Sequence, residues 1–280
     1  MIEALDRAAD SCAAEAQLFK KAGGVIGHGH LPERFREALA QHPTAALARD
    51  RAGYTLLMSA AGLGCESSVD ILLPLSDAKH ACPFGETALM CAAANGRARI
   101  VEKLLSSSDI HAKTKNGYTA FGWACDSGHL DIAQILIERH GPSLAELPCA
   151  PGSATGLMVA LRRPRWHANR EGLIALAQFL LPLSNLLAVD DNGFNAIAHA
   201  TTFGDSLTIE LAARAIHDLL PDAAHRICGE AVRKVEDSLA PDRNSDIFEL
   251  MRASERLAEQ AAISQSFPKS LALRASPKRI

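Results

Sequence analysis

A 32-residue repeat is the feature that most restricts how this chain of 280 residues can fold. Gly53, Gly85 and Gly117 each begin the same pattern, in which Thr follows two residues later and an Ala-rich stretch comes next. A second glycine stands at the same offset in every unit, and branched apolar residues with leucine at helical spacing close it. Internal repetition at this period indicates a solenoid of stacked units.

The residues of one unit predict a tight turn followed by two helices. The first glycine permits the positive φ of the turn, and the Thr hydroxyl can cap the first helix. The second glycine ends that helix in the left-handed conformation. The second helix carries an apolar stripe, as in Ile100 to Leu105. Because one helix pair cannot bury this stripe, the units must stack.

The pattern resembles the ankyrin repeat, a turn and two helices around T-P-L-H-x-A. The resemblance implies an all-α ankyrin-repeat solenoid with short β-hairpin loops and helical caps at both ends. The chain departs from the signature at its Pro and His positions, which hold Leu56, Ala88 and Ala120, and Met58, Met90 and Gly122. A Leu-Leu-Pro-Leu-Ser string, present at 72–76 and 180–184, is similar to bacterial ankyrin arrays.

Four segments are expected along the chain. Residues 1–48 should form an N-terminal helical cap with a partial first repeat, and residues 49–220 an array of about five units. The fourth and fifth units are degenerate, with Asn195 as the cap of the fifth, and insertions are expected near 141–151 and 162–171. Residues 221–263 should form a C-terminal helical cap, and 264–280 a flexible tail.

Composition excludes several classes of protein. The formal net charge of −3 argues against a nucleic-acid binder, and the longest apolar stretch, 173–183, is too short to cross a membrane. Residues 1–7 lack the pattern of a signal peptide. Seven scattered cysteines are typical of reduced thiols in a cytoplasmic protein. We expect a cytoplasmic monomer, with secretion into a host cell as an open alternative.

Candidate catalytic and metal motifs are incomplete. His28 and His30 lie in a glycine loop without a cysteine partner, and Gly23 to His28 lacks the Lys-Ser/Thr ending of a phosphate loop. The calcium-like run 242–246 fails at Ile247. Cys91 and Cys125 are interpreted as small buried hydrophobes. The sequence therefore predicts no enzyme, no cofactor and no metal site.

The insertion from Arg162 to Arg170 leaves two interpretations open. Its four arginines and Trp166 could pair with an acidic partner or stack on a base. The alternative is a lengthened, solvated turn.

The resemblance implies that partner-binding residues lie at the hairpin tips and the inner-helix ends. Tyr54, Tyr118 and Phe194 flank the tips as exposed aromatics, the residue class enriched at binding hot spots, although they could instead pack between neighbouring hairpins. The predicted partner-binding residues are Arg51, Tyr54, Leu63, Phe84, Glu86, Asn95, Lys115, Asn116, Tyr118, Asp126, Asn192, Phe194 and Phe203.

The predicted function is a non-catalytic protein–protein interaction module that binds a protein partner through its concave surface. A narrower hypothesis is a bacterial effector whose basic tail serves secretion. The alternative from another class is a structural or scaffolding subunit held by its outer face. An enzyme with an unrecognised site is the third and weakest interpretation.

Overall fold

A computed structural model describes residues 46–47, 49–50, 52–162 and 169–203, with isolated positions beyond them at 209, 211–214, 218 and 256. The predicted caps at 1–48 and 221–263 lie almost entirely outside the described residues, and the predicted tail at 264–280 lies wholly outside them. Within the described residues the regular structure is helical, and the hairpin loops contribute isolated β-bridges at Arg49–Thr55 and Ala81–Thr87. The prediction of an all-α solenoid is confirmed.

Helices alternate along the described chain between an inner and an outer row. The inner helices are α1 (Leu56–Leu63), α3 (Ala88–Ala94), α5 (Ala120–Ser127), α7 (Gly156–Leu161) and α9 (Ala196–Phe203). The outer helices are α2 (Glu66–Leu72), α4 (Ala98–Leu105), α6 (Leu130–His140) and α8 (Arg170–Leu180). Short 3-10 turns stand at Leu73–Leu75, Pro142–Glu146, Pro151–Ser153 and Leu181–Leu183. Each inner helix packs on the inner helix of the next unit.

Side-chain caps start the inner helices where the sequence predicts them. The hydroxyls of Thr55, Thr87 and Thr119 accept hydrogen bonds from the amide three residues later, at 3.3, 3.3 and 3.1 Å. The Asn195 carbonyl oxygen accepts one from the Ala198 amide at 2.9 Å. Thr155 precedes α7 without such a bond. Each cap satisfies an amide that the first helical turn leaves without a partner.

The core between repeats is built from aliphatic and small side chains. Leu57, Leu89 and Phe121 occupy equivalent positions in three units and are fully buried. Small buried residues such as Ala60 and Ala92 let the inner helices approach one another closely. This packing explains how a chain with only 5% aromatic residues closes a core.

The hairpin turns require positive φ, and one of them lacks the glycine. Gly53, Gly85 and Gly117 have φ between 83 and 86°, as the repeat pattern predicts. The equivalent position of the fourth unit, two residues before Thr155, holds Ser153 at φ 61°. Ser153 is the only non-glycine residue with positive φ among the described residues. This conformation costs an L-residue about 1–2 kcal/mol.

The connection from α6 to α7 packs its backbone against the start of α5. The Cys149 carbonyl oxygen accepts a hydrogen bond from the Thr119 amide at 3.0 Å. A Cβ atom built on Gly122 would lie 1.8 Å from the same oxygen. Glycine therefore replaces the His of the ankyrin signature here because the long connection occupies the space of a side chain.

The connection from α7 to α8 returns to the repeat frame at Asn169. Residues 163–168 of the predicted insertion lie outside the described residues. The Asn169 side-chain amide donates to the carbonyls of Ser127 and Gly128 at 3.1 and 2.9 Å, and its oxygen accepts from the Gly172 amide at 3.2 Å. This one side chain thus links the end of α5 to the start of α8.

Candidate partner-binding surface

The hairpin tips are held by side chains that accept backbone hydrogen bonds. Asp50 Oδ1 accepts from the amides of Ala52 and Tyr54 at 2.9 and 2.8 Å. In the fifth unit Asp190 Oδ1 does the same for Asn192 and Phe194, both at 2.9 Å. Neighbouring tips are also joined, because the Lys115 amide donates to the Phe84 carbonyl at 2.9 Å. The residues displayed by the tips are therefore held on an ordered backbone.

A groove of about 440 Å³ lies between the hairpin side and the inner helices of the first three complete units. We call it the inner groove. Its lining repeats in steps of 32 residues, so that equivalent positions of successive units lie side by side. Tyr54 and Glu86 form the hairpin end of the inner groove, and Leu63 and Asn95 lie at the opposite end, where α1 finishes and α3 gives way to its cap.

The floor of the inner groove comes from two further sets of equivalent positions. Met58 and Met90 form one set, and Ser59, Cys91 and Trp123 form the other. The two methionines are almost completely buried, whereas Cys91 and Trp123 are half-buried. The surface is therefore mainly apolar, with a carboxylate at one end and an amide at the other.

Tyr54 and Glu86 connect two repeats across the inner groove. The Tyr54 hydroxyl donates a hydrogen bond to Glu86 Oε2. Burial raises the pKa of the Tyr54 hydroxyl, and the hydrogen bond and charge of Glu86 raise it further. Tyr54 therefore stays a neutral donor, and this bond keeps the carboxylate in place.

A cluster of four side chains lies beside the inner groove. The rings of Tyr118 and Trp123 are stacked, with centroids 4.4 Å apart and planes inclined by 19°. The Tyr118 hydroxyl donates to Asp126 Oδ1 at 3.4 Å and accepts from Arg162 Nη2 at 2.8 Å. The same Arg162 nitrogen lies 3.7 Å from Asp126 Oδ1. Arg162, the first residue of the insertion, thus holds the Tyr118 ring that stacks on Trp123.

Phe194 is part of a third arrangement, at the fifth unit. Its ring meets the His199 ring edge to face, at a centroid distance of 5.9 Å. His199 Nε2 lies 3.0 Å from Asp190 Oδ2, and both side chains are buried. Burial lowers the pKa of His199, although the neighbouring Asp190 carboxylate opposes this shift. The pair fixes the fifth hairpin to α9.

The structure brings together some of the predicted site residues and separates others. Tyr54, Leu63, Glu86 and Asn95 line the inner groove. Four others are exposed at hairpin tips: Phe84, Lys115, Asn116 and Asn192. Arg51 lies outside the described residues, as does the side chain of Phe203, the last residue of α9.

Two features differ from the sequence interpretation. Tyr54, Tyr118 and Phe194 were expected to be exposed, but they are half-buried against the core. Each of them packs on a neighbouring unit or helix. Asp126 is only 4% exposed, and its carboxylate contacts Arg162 and Tyr118. Asp126 is thus placed to support the surface from behind.

Sequence reasoning missed Trp123, Met58 and Met90 as lining residues, and it interpreted Cys91 as buried. The signal was present, since Ser59, Cys91 and Trp123 are equivalent positions of the repeat. Cys91 is half-buried in the inner groove, where burial and then Glu86 raise the pKa of its thiol to about 12. The thiol is therefore neutral and poorly nucleophilic. Cys125, by contrast, is fully buried, as predicted.

No helix in the part of the chain that the structure describes is long and apolar enough to cross a membrane. Within the same residues, no three or more His, Cys, Asp or Glu side chains are grouped so that they could hold a metal ion.

Paired helices, hairpin turns at a 32-residue period and an inner row of stacked helices define a repeat solenoid. Residues 57–146 match the family model for ankyrin repeats, with three copies. Residues 57–146 therefore form an array of ankyrin repeats. Ankyrin repeats are generally protein–protein interaction modules and are typically non-catalytic. Comparison with curated proteins finds no match.

Proposed function

We propose that the protein is a non-catalytic interaction module that binds a partner protein through the inner groove and the hairpin tips beside it. The observation that carries the proposal is the inner groove itself. Three successive repeats place equivalent side chains in one apolar depression, with an aromatic ring on its floor. Aromatic and methionine side chains are enriched in the buried centres of protein interfaces.

The surface is organised before any partner arrives. The Tyr54–Glu86 hydrogen bond and the Tyr118–Trp123 stack each fix side chains that belong to, or lie beside, the inner groove. Hydrogen bonds between tips fix the backbone that carries Phe84 and Lys115. Binding to such a surface loses little conformational entropy.

Affinity capture from the native cell, followed by mass spectrometry, tests the proposal. The tip variant Phe84→Ala/Lys115→Ala/Asn116→Ala removes three exposed side chains, so the fold should persist. A matched outer variant replaces three exposed residues of α4, α6 and α8: Glu102→Ala, Glu138→Ala and Gln178→Ala. We expect the tip variant to capture about tenfold less partner than wild type does, and the outer variant to capture as much as wild type.

The scaffolding alternative has its own structural support. Leu147, Leu187 and Val189 are large apolar side chains that are 43, 51 and 58% exposed in the connections that follow the outer helices. A subunit held through these connections would lose its assembly in a Leu147→Ser/Leu187→Ser/Val189→Ser variant. Under our proposal the same variant still captures the partner, and the tip variant does not.

We expect a cytoplasmic monomer that binds protein and neither nucleic acid nor membrane. The proposal that the protein is delivered into a host cell as a bacterial effector rests on the basic composition of 264–280. This segment lies outside the described residues. A translocation assay with residues 264–280 deleted tests this role, and unchanged delivery would contradict the function assigned to the tail.

A further inference from the structure

We propose that the inner groove recognises a partner segment in which a lysine or arginine lies beside a large apolar side chain. The inference rests on the proposed function and states the chemistry of the partner at that site. The cation would pair with Glu86, and the apolar side chain would occupy the part of the inner groove between Trp123 and Leu63.

Glu86 supplies the charge complementarity. Its side chain is half-buried at the hairpin end of the inner groove, and Tyr54 donates a hydrogen bond to one carboxylate oxygen. No lysine or arginine of the described chain forms an ion pair with Glu86. A neutral hydrogen-bond donor orients this carboxylate and leaves its negative charge in place.

Three other carboxylates of the neighbouring repeats are paired with cations. Asp70 lies 2.7 Å from Lys103, and Glu66 lies 3.6 Å from Arg99, all on the outer helices. Asp126, beside the inner groove, lies 3.7 Å from Arg162. Glu86 therefore differs from these groups in having its charge available to a partner. A half-buried carboxylate on an apolar wall attracts a cation more strongly than a fully solvated one does.

The rest of the lining favours a long side chain with an apolar stem. Lysine and arginine place apolar methylene groups on hydrophobic surface while their charged ends reach a polar group. Trp123 adds the face preferred by cations, and its ring is held by the stack with Tyr118. Met58 and Met90 provide adaptable contacts for an aliphatic stem.

The size of the inner groove indicates that the cation has an apolar neighbour. At about 440 Å³ it exceeds the volume of one side chain. Leu63, which is 48% exposed, and Ala94 extend the apolar lining away from Glu86. A second, uncharged side chain of the same segment therefore fits beside the first.

Selection from a phage-displayed library of random short peptides tests the inference. The targets are the full chain, Glu86→Gln, and the matched control Glu102→Gln, which removes an exposed carboxylate from outer helix α4. Leu63→Arg blocks the inner groove, so that peptides which bind wild type and not Leu63→Arg are assigned to it. We expect these peptides to carry a fixed lysine or arginine next to an apolar residue.

The selected peptides then allow a comparison that does not depend on one variant. Replacing the fixed lysine or arginine by glutamine should weaken binding to wild type and to Glu102→Gln about tenfold or more. The same replacement should have little effect on binding to Glu86→Gln, because the charge partner is already missing. Thermal unfolding of each variant shows that the comparison is made on folded protein.

The outcomes distinguish the inference from the proposed function. The inference alone would be overturned if the peptides that require the inner groove contained no fixed basic residue. It would also be overturned if replacing that residue by glutamine weakened binding to wild type and to Glu86→Gln equally. A selection that yields no peptide sensitive to Leu63→Arg would contradict both.

Discussion

At Gly122 the chain has no room for a Cβ atom, since one would lie 1.8 Å from the Cys149 carbonyl oxygen. We expect Gly122→Ala to lower the free energy of unfolding by about 3 kcal/mol, because backbone must move to relieve the overlap. Gly62→Ala is the matched control in an inner helix, where the nearest atom is 3.6 Å away. It should leave stability unchanged or raise it by up to about 1 kcal/mol. Denaturant unfolding measures both, and equal effects would contradict the close approach.

Ser153 holds the positive φ that glycine provides in the other hairpins. Ser153→Gly removes the strain of a Cβ in this conformation, while glycine also increases the entropy of the unfolded chain. The net expectation is a gain in stability of about 0.5–1 kcal/mol. Ser107→Gly, at an exposed position without positive φ, should lose roughly the same amount. A loss at both positions in thermal unfolding would show that Ser153 is not strained.

The buried pair of His199 and Asp190 predicts a pH dependence of stability. Because burial lowers the pKa of His199 in the folded protein, the unfolded chain binds the proton more tightly. The contribution of neutral His199 to the free energy of unfolding should therefore be complete above the unfolded pKa of about 6.5. It should fall as the pH drops below that value. Asp190 opposes this shift, and Arg162 adds to it. His199→Gln should flatten the profile of unfolding free energy between pH 7 and 5, and an unchanged slope would count against the assignment.

At the scale of elements, Arg162 joins the end of α7 to the aromatic stack beside the inner groove. Arg162→Ala leaves the Asp126 carboxylate, whose side chain is 5% exposed, without this cation. We expect a loss of about 2–3 kcal/mol in stability, and a smaller loss when Asp126→Asn is already present. A double-mutant cycle in denaturant unfolding measures the coupling. Additive losses would mean that the two side chains act independently.

The sequence predicts the elements well where the repeat is regular. The cap positions of Thr55, Thr87 and Asn195 follow from the register alone, since a capping hydroxyl or amide acts within a few residues. Gly122 could not be interpreted in this way. Its space is taken by a carbonyl of the long connection after α6, and the conformation of such a connection has no repeat to fix it.

The candidate site is predictable only where the repeat register determines the position of a residue. The register identifies which positions face the same side, and it could have included Trp123 through its equivalence to Ser59 and Cys91. It could not show that Tyr118 would stack on Trp123 or that Arg162 would reach Tyr118. Those contacts depend on side-chain conformations and on the path of the connection after α7.

At the scale of the whole molecule, stacking of equivalent units gives both the stability and the proposed binding surface. Each unit buries its apolar stripe only against its neighbours, so the inner groove exists only where three repeats meet. The surface is therefore a property of the array and not of a single repeat. Under the proposed function, changes in the tip residues alter recognition while the core of the array is kept.

The fluorescence of Trp123 tests the central claim most directly. The chain has two tryptophans, so Trp166→Phe leaves Trp123 as the reporter on the floor of the inner groove. Titration with the captured partner should give a saturable change in Trp123 emission, and Leu63→Arg should abolish both the change and the binding. A partner that binds with full affinity while Trp123 emission stays constant, and that binds Leu63→Arg equally well, would contradict recognition through the inner groove.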